Sequence, residues 1–181
     1  MTDTPPTDAP PPPAKAPPPP LLGSTTEDAP GFLAALPDAG RLIGIDAGTK
    51  TLGLALSDVS RRIASALETI ARTTCSADAA RLMALCQTHQ VAGLVLGFPR
   101  NLDGTEGPRA QATRALARNL NKLTALPILL WDERLTTAQA ERMLIDADQS
   151  RKRRAEVIDK LAATVILQSA LDRFDRLKPR A

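Results

Sequence analysis

The stretch "RLIGIDAGTKTLGLALSD", residues 41–58, decides the fold. Leu42, Ile43 and Ile45 make a short apolar run of the kind that forms a buried strand. Leu52, Leu54 and Leu56 then alternate with small residues, the pattern of a second strand. The "GTK" between them is short enough to predict a hairpin. Asp46 is the anomaly, because a carboxylate late in a buried strand is costly unless something satisfies it. Either it caps the "AGTK" turn or it belongs to a site.

Working outward, "RRIASALETIAR" predicts a third strand, although its spacing also fits a helix. "SADAARLMALCQTHQ" carries an apolar face at Leu82, Leu85, Cys86 and His89 and predicts a helix capped by Ser76. "VAGLVLGFP" is a fully apolar strand bounded by Pro99, and "RNLDGTEGP" is a loop. "RAQATRALARNLNKL" is an amphipathic helix, and "PILLWDE" is another buried strand, opened by Pro127. "TTAQAERMLIDA" and the long "KRRAEVIDKLAATVILQSALDRF" complete the chain as helices. The order β-β-β-α-β-α-β-α-α predicts an α/β fold. Its mixed five-stranded sheet has three antiparallel strands, then two parallel ones, flanked by helices.

Composition divides the chain near residue 40. Twelve of the 16 prolines lie in residues 1–37, in tracts such as "PPPAKAPPPP". A segment of that kind buries too little apolar surface to offset chain entropy. Residues 1–38 are therefore expected to be a disordered tail, an inert extension rather than a ligand for a proline-binding partner, and 39–178 the folded domain. Deleting residues 1–36 is expected to leave the fold intact. The start of the chain lacks the basic and apolar regions of a signal peptide, and no apolar run is long enough to span a bilayer. The expected location is cytoplasmic, with no membrane partner. The oligomeric state is not legible.

The net charge of +3 is unevenly spread. The first 40 residues hold Lys15 against Asp3, Asp8, Glu27, Asp28 and Asp38, which leaves 22 basic and 15 acidic residues, or +7, for residues 41–181. A basic domain favours polyanionic partners, nucleic acid above all. Cys75 and Cys86 lack the ligand set of a zinc site and are too few for a disulfide scaffold, and His89 is the only histidine.

Three acidic positions stand apart from the solvated charges. Asp46 ends the first strand, Asp132 and Glu133 end "PILLWDE", and Asp159 opens a helical stripe continued by Ala162, Ala163, Ile166 and Ala170. Ligand sites in open α/β sheets gather beyond the carboxyl ends of the strands. Carboxylates converging there suit Mg²⁺ or Mn²⁺, and such metals assist phosphoryl displacement. Taken singly, each acid also has a structural reading: Asp46 as a turn cap, Asp132 or Glu133 paired with Arg134, and Asp159 paired with a nearby arginine.

"GIDAGTKTLGLALSD", "VLGFPRNLDGTEG", "DERLTTAQAERML" and "IDKLAATVILQSALD" resemble, in order and spacing, the signature blocks of the YqgF or RuvX-like family, over roughly residues 41–175. Four ordered blocks are far more specific than one. The resemblance implies an RNase H-like fold and a Mg²⁺- or Mn²⁺-dependent nuclease. The implied reaction is phosphodiester hydrolysis in maturation of the 5′ end of pre-16S ribosomal RNA, after an earlier assignment to four-way DNA junctions. It implies that Asp46 bridges the metals and that Glu133, with Asp132 less favoured, and Asp159 complete the cage. Lys50, Arg100 and Arg134 would contact phosphates, and the loop containing Asn101 would lie on the substrate side.

Two positions depart from the family pattern. Thr51 stands where a second basic residue often follows "GTK", which is expected to weaken a phosphate contact. Arg100 stands where an aliphatic residue usually precedes the loop, adding a charge. The strand "GLVLG" carries no acid, unlike the junction resolvases that share this fold, which counts against junction cleavage more than against nuclease activity in general.

Three alternatives remain open on sequence alone. One is a resolvase acting on branched DNA, and another is an RNA-binding assembly factor that has lost the reaction. The third is an ATP-binding domain of the actin and heat-shock ATPase type, whose first phosphate loop also reads "DxGT". About 140 folded residues give one core, too little for the two lobes of such an ATPase.

Overall fold

The computed structural model describes residues 23–136 and 151–177. The proline tracts before residue 23, and the helix expected from "TTAQAERMLIDA" beyond Thr136, lie outside the described residues. The elements are β1 (Thr25–Thr26), α1 (Ala29–Ala35), β2 (Arg41–Ala47), β3 (Thr51–Ser57), β4 (Ala64–Ala71), α2 (Cys75–Thr88), β5 (Val91–Phe98), α3 (Pro108–Asn121) and β6 (Ile128–Asp132). A 3₁₀ turn at Glu133–Leu135 follows, and a long helix, α4 (Arg151–Leu177), completes the fold.

The strands form one sheet in the order β1-β6-β5-β2-β3-β4. β2, β3 and β4 pair antiparallel, while β5 and β6 run parallel to β2 on its other side. This is the expected mixed sheet, with one addition: the two-residue β1 pairs parallel with β6 and makes a sixth strand. "RRIASALETIAR" resolves as the strand β4, not a helix, because its residues complete the β3 edge. α2 begins two residues earlier than expected. Thr74, not Ser76, is its N-cap, accepting a hydrogen bond from the Ala77 N–H at 3.2 Å.

The alternation of side chains divides the core into two layers. Ile43, Ile45, Leu94, Leu96, Ile128 and Leu130 face α2 and α3. Leu42, Val95, Leu129 and Trp131 face α1 and α4, where they meet Ala163, Ile166, Leu167, Ala170 and Phe174. The α4 layer is unusually thin, and the strands make it so by omitting side chains. A Cβ on Gly44 would stand 2.6 Å from Leu167 Cβ, and one on Gly53 would stand 2.1 Å from the Asp159 carbonyl oxygen. α4 therefore lies almost on the sheet backbone.

The expected boundary at residue 38 is displaced. Asp28 caps α1 by accepting from the Gly31 N–H at 2.8 Å, and Phe32 is fully buried against Phe174, with ring centroids 5.8 Å apart. The proline count concealed a seven-residue helix in "APGFLAA", in which Pro30 sits at the start, where it is tolerated. Deletion through residue 36, expected to be harmless, would instead remove the buried Phe32 side chain from the core. Among the described residues no helix is long and apolar enough to cross a membrane.

Candidate functional site

β2 runs parallel to β5 and β5 to β6, so Asp46 and Glu133 emerge at the same edge of the sheet. Alternation sets their face. Gly44 faces α4, and Asp46, two residues on, shares that face. On β6, Leu129 and Trp131 face α4, so Glu133 continues that side and Asp132 the other. Gly97 lies on the strand between them, and a Cβ there would stand 2.8 Å from Glu133 Oε1 and 2.5 Å from Ile166 Cδ1. The bare strand leaves the space that Glu133 enters. Asp46 pairs across the hairpin with Gly53, on which the Asp159 backbone rests.

These three acids interact. Burial, then the Asp159 charge, push the Asp46 carboxyl above its ordinary range, partly offset by Arg109. Burial, then Asp46, do the same to Glu133, again offset by Arg109. Asp46 is thus the shared member of two repelling pairs. Its side chain caps nothing: the Gly48 N–H bonds to the Asp46 backbone carbonyl at 3.2 Å, and among the described residues its carboxylate accepts no hydrogen bond. Among the described residues Asp159 is paired with no arginine, and it accepts a 2.6 Å hydrogen bond from the Thr51 hydroxyl.

Asp132 is placed elsewhere. The Arg134 guanidinium forks onto it, Nε to Oδ1 at 3.0 Å and Nη2 to Oδ2 at 2.6 Å, and the Arg134 N–H donates to Oδ1 at 3.0 Å. Those hydrogen bonds hold its carboxyl below the usual range. The structural pairing anticipated for "DER" is therefore real for Asp132, while Glu133 turns to Asp46.

The expected phosphate contacts divide similarly. Lys50 is exposed on the hairpin turn. Arg100 is engaged by Glu27 and lies 3.8 Å from Glu106, with its guanidinium 5.3 Å from the Phe98 ring centroid. Arg114 stacks on the same ring at 4.7 Å and pairs with the same two glutamates. Asn101 is spent within its loop, donating from Nδ2 to Thr105 Oγ1 at 2.8 Å. Arg134 is spent on Asp132. The positive charge that offsets both Asp46 and Glu133 belongs to a residue the sequence reading missed, Arg109 in the first turn of α3, exposed and in no ion pair among the described residues. Its signal was present: an arginine there opposes the helix dipole, the kind of local rule-breaking that functional sites show.

The donors suit a hard divalent cation by their chemistry. They are all carboxylates, two of them half-buried and pushed toward protonation by burial first and then by a neighbouring acid, Asp159 for Asp46 and Asp46 for Glu133. Among the described residues no three His, Cys, Asp or Glu side chains stand close enough to share one ion, so the acids form two linked pairs rather than a closed cage.

The family model described as "RuvX: Holliday junction resolvase" matches residues 40–173. A protein of Cereibacter sphaeroides named "Putative pre-16S rRNA nuclease" is 62% identical over 146 residues, 81% of this chain and 91% of that protein. One of the same name from Paracoccus denitrificans is 58% identical over 148 residues, 82% of this chain and 94% of its own length. The structure of T. thermophilus RuvC in complex with a Holliday junction substrate superimposes with a TM-score of 0.51 at 14% identity, covering 78% of this chain and 99% of that one. At that identity the likeness speaks to the shared fold.

Proposed function

The chain belongs to the RuvX family, and from that premise we propose that it is a nuclease that uses Mg²⁺ or Mn²⁺ to hydrolyse phosphodiester bonds in 5′-end maturation of pre-16S ribosomal RNA in the cytoplasm. The observation that carries the metal reading is the Asp46 carboxylate, half-buried, repelled by Asp159 and Glu133, and without a hydrogen-bond donor among the described residues. A protein keeps such an arrangement when a cation relieves it.

Asp46 with Glu133, and Asp46 with Asp159, would hold cations as two linked pairs, and Asp132 would not. The chemistry such an ion supplies when bound is Lewis-acid stabilisation of the charge that develops on phosphate during displacement. Lys50 and Arg109, exposed and in no ion pair among the described residues, would contact the phosphates of the strand, which positions it without reading its bases. The Arg134 fork ties the end of β6 to the substrate-side loop, its Nη1 lying 3.5 Å from the carbonyl oxygens of Asn101 and Leu102. Arg100 fixes the base of that loop instead of binding substrate.

Titration with Mn²⁺ followed by calorimetry tests the reading. Asp46→Asn and Glu133→Gln are expected to lose binding, while Asp132→Asn keeps it. Binding that survives Asp46→Asn, or that is lost equally with Asp132→Asn, contradicts it.

A further inference from the structure

We propose that the Thr51 hydroxyl is a positioning group that fixes the Asp159 carboxylate for cation binding, an inference that rests on the metal reading of this site. Threonine has one O–H to donate, and Thr51 gives it to Asp159 Oδ2 at 2.6 Å. That length lies at the short end of hydroxyl–oxygen hydrogen bonds. It commits one carboxylate oxygen and leaves Oδ1 without a hydrogen bond among the described residues.

The local backbone is built around this contact. A Cβ on Gly48 would stand 2.9 Å from the Thr51 carbonyl oxygen and 3.4 Å from its Oγ1, so the turn stays open where the hydroxyl lies. Arg72 pins the same turn from both ends, donating Nη1 to the Gly48 carbonyl at 2.8 Å and its N–H to the Lys50 carbonyl at 2.9 Å. Gly53, two residues on, lets the backbone of Asp159 rest on β3. Gly53 sets how deeply the acid sits, and Thr51 sets how its carboxylate is turned.

The restraint has a purpose. Asp46 and Asp159 repel, and a free carboxylate on a helix relaxes by swinging away from a like charge. The Thr51 bond holds Asp159 in place before the cation arrives, and does so with a neutral group. A basic residue at this position would instead bring a positive charge to compete with the ion. Thr51 is thus a partner of the acid site rather than a weakened phosphate contact.

The test is Mn²⁺ affinity by calorimetry, with metal-free melting measured beside it, for the full chain carrying Thr51→Val, Thr51→Ser or Thr51→Lys. Loss of a group that hydrogen-bonds a metal ligand typically changes affinity by about 10–100-fold. Thr51→Val and Thr51→Lys are expected to weaken Mn²⁺ binding on the order of tenfold or more, and Thr51→Ser to retain it. Thr51→Ala, which lacks the donor and adds no bulk, gives the same loss if Thr51→Val fails to fold. A Thr51→Val or Thr51→Ala protein that binds Mn²⁺ like the wild type, while Asp159→Asn does not, overturns the positioning role and leaves the metal site standing. So does a Thr51→Ser protein as weak as Thr51→Val. A wild type that binds no Mn²⁺ overturns both.

Discussion

Gly53→Ala perturbs the contact on which the whole site depends. Its Cβ would stand 2.1 Å from the carbonyl oxygen of Asp159, 2.5 Å from the carbonyl carbon and 3.2 Å from Cα. Non-bonded heavy atoms settle at about 3.5 Å, so α4 would have to withdraw by roughly 1.4 Å from its 2.1 Å approach. All three obstacles are backbone atoms, and no rotamer change relieves them. Overpacking costs about 1–3 kcal/mol, and an obstacle of this kind belongs at the upper end. For a chain of this size about 3 kcal/mol lowers Tm by roughly 6–12 °C. The same displacement moves Asp159 relative to Asp46, and a misplacement of about 1 Å can cost on the order of 100-fold in rate. Differential scanning calorimetry and turnover at saturating Mn²⁺ measure the two effects. Gly107→Ala is the control, since its nearest foreign atom would be 3.5 Å away. If Gly53→Ala melts and turns over like the wild type, α4 does not rest on β3 as described.

Three further outcomes follow from particular residues. Phe32→Ala, which empties a fully buried site between α1 and Phe174, is expected to cost about 3–5 kcal/mol by urea unfolding, and an unchanged midpoint would return α1 to the tail. Asp46 and Glu133 bind protons more readily folded than unfolded, so in metal-free protein their contribution to stability falls as pH rises from about 4 through their raised values. The Tm advantage of Asp46→Asn over wild type should therefore widen toward neutral pH, and a constant difference would refute the repulsion. Arg109→Ala is expected to weaken RNA binding and reduce the slope of log affinity against log salt by about 1, whereas an unchanged slope would remove Arg109 from the phosphate path.

What the sequence made legible, and what it hid, follows from the range of the forces involved. The Asp46 strand, the hairpin and the buried β5 could be read because alternation and apolar runs are local signals. Asp159 could be read because an acid heading a small-residue stripe is conspicuous along one helix. Asp132 and Glu133 could not be separated by composition, since they are neighbours. Strand parity separates them, once the glycines at 44, 53 and 97 identify the face that receives α4. Helix α1 was hidden because twelve prolines dominate the average over its surroundings. The engagement of Arg100 by Glu27 joins residues 73 positions apart, and the bond from Thr51 to Asp159 joins residues 108 apart. No local pattern encodes either one.

The most direct measurement is cleavage of a pre-16S ribosomal RNA precursor by the purified protein, with branched DNA as a parallel substrate, in Mg²⁺, in Mn²⁺ and in chelator, beside Asp46→Asn. The account predicts metal-dependent cleavage of the RNA at its 5′ region, abolished by chelator and by Asp46→Asn, with the metal-free variant at least as stable as the wild type. Cleavage that persists in an Asp46→Asn protein, accompanied only by a lower Tm, would contradict the account and make that aspartate a structural residue.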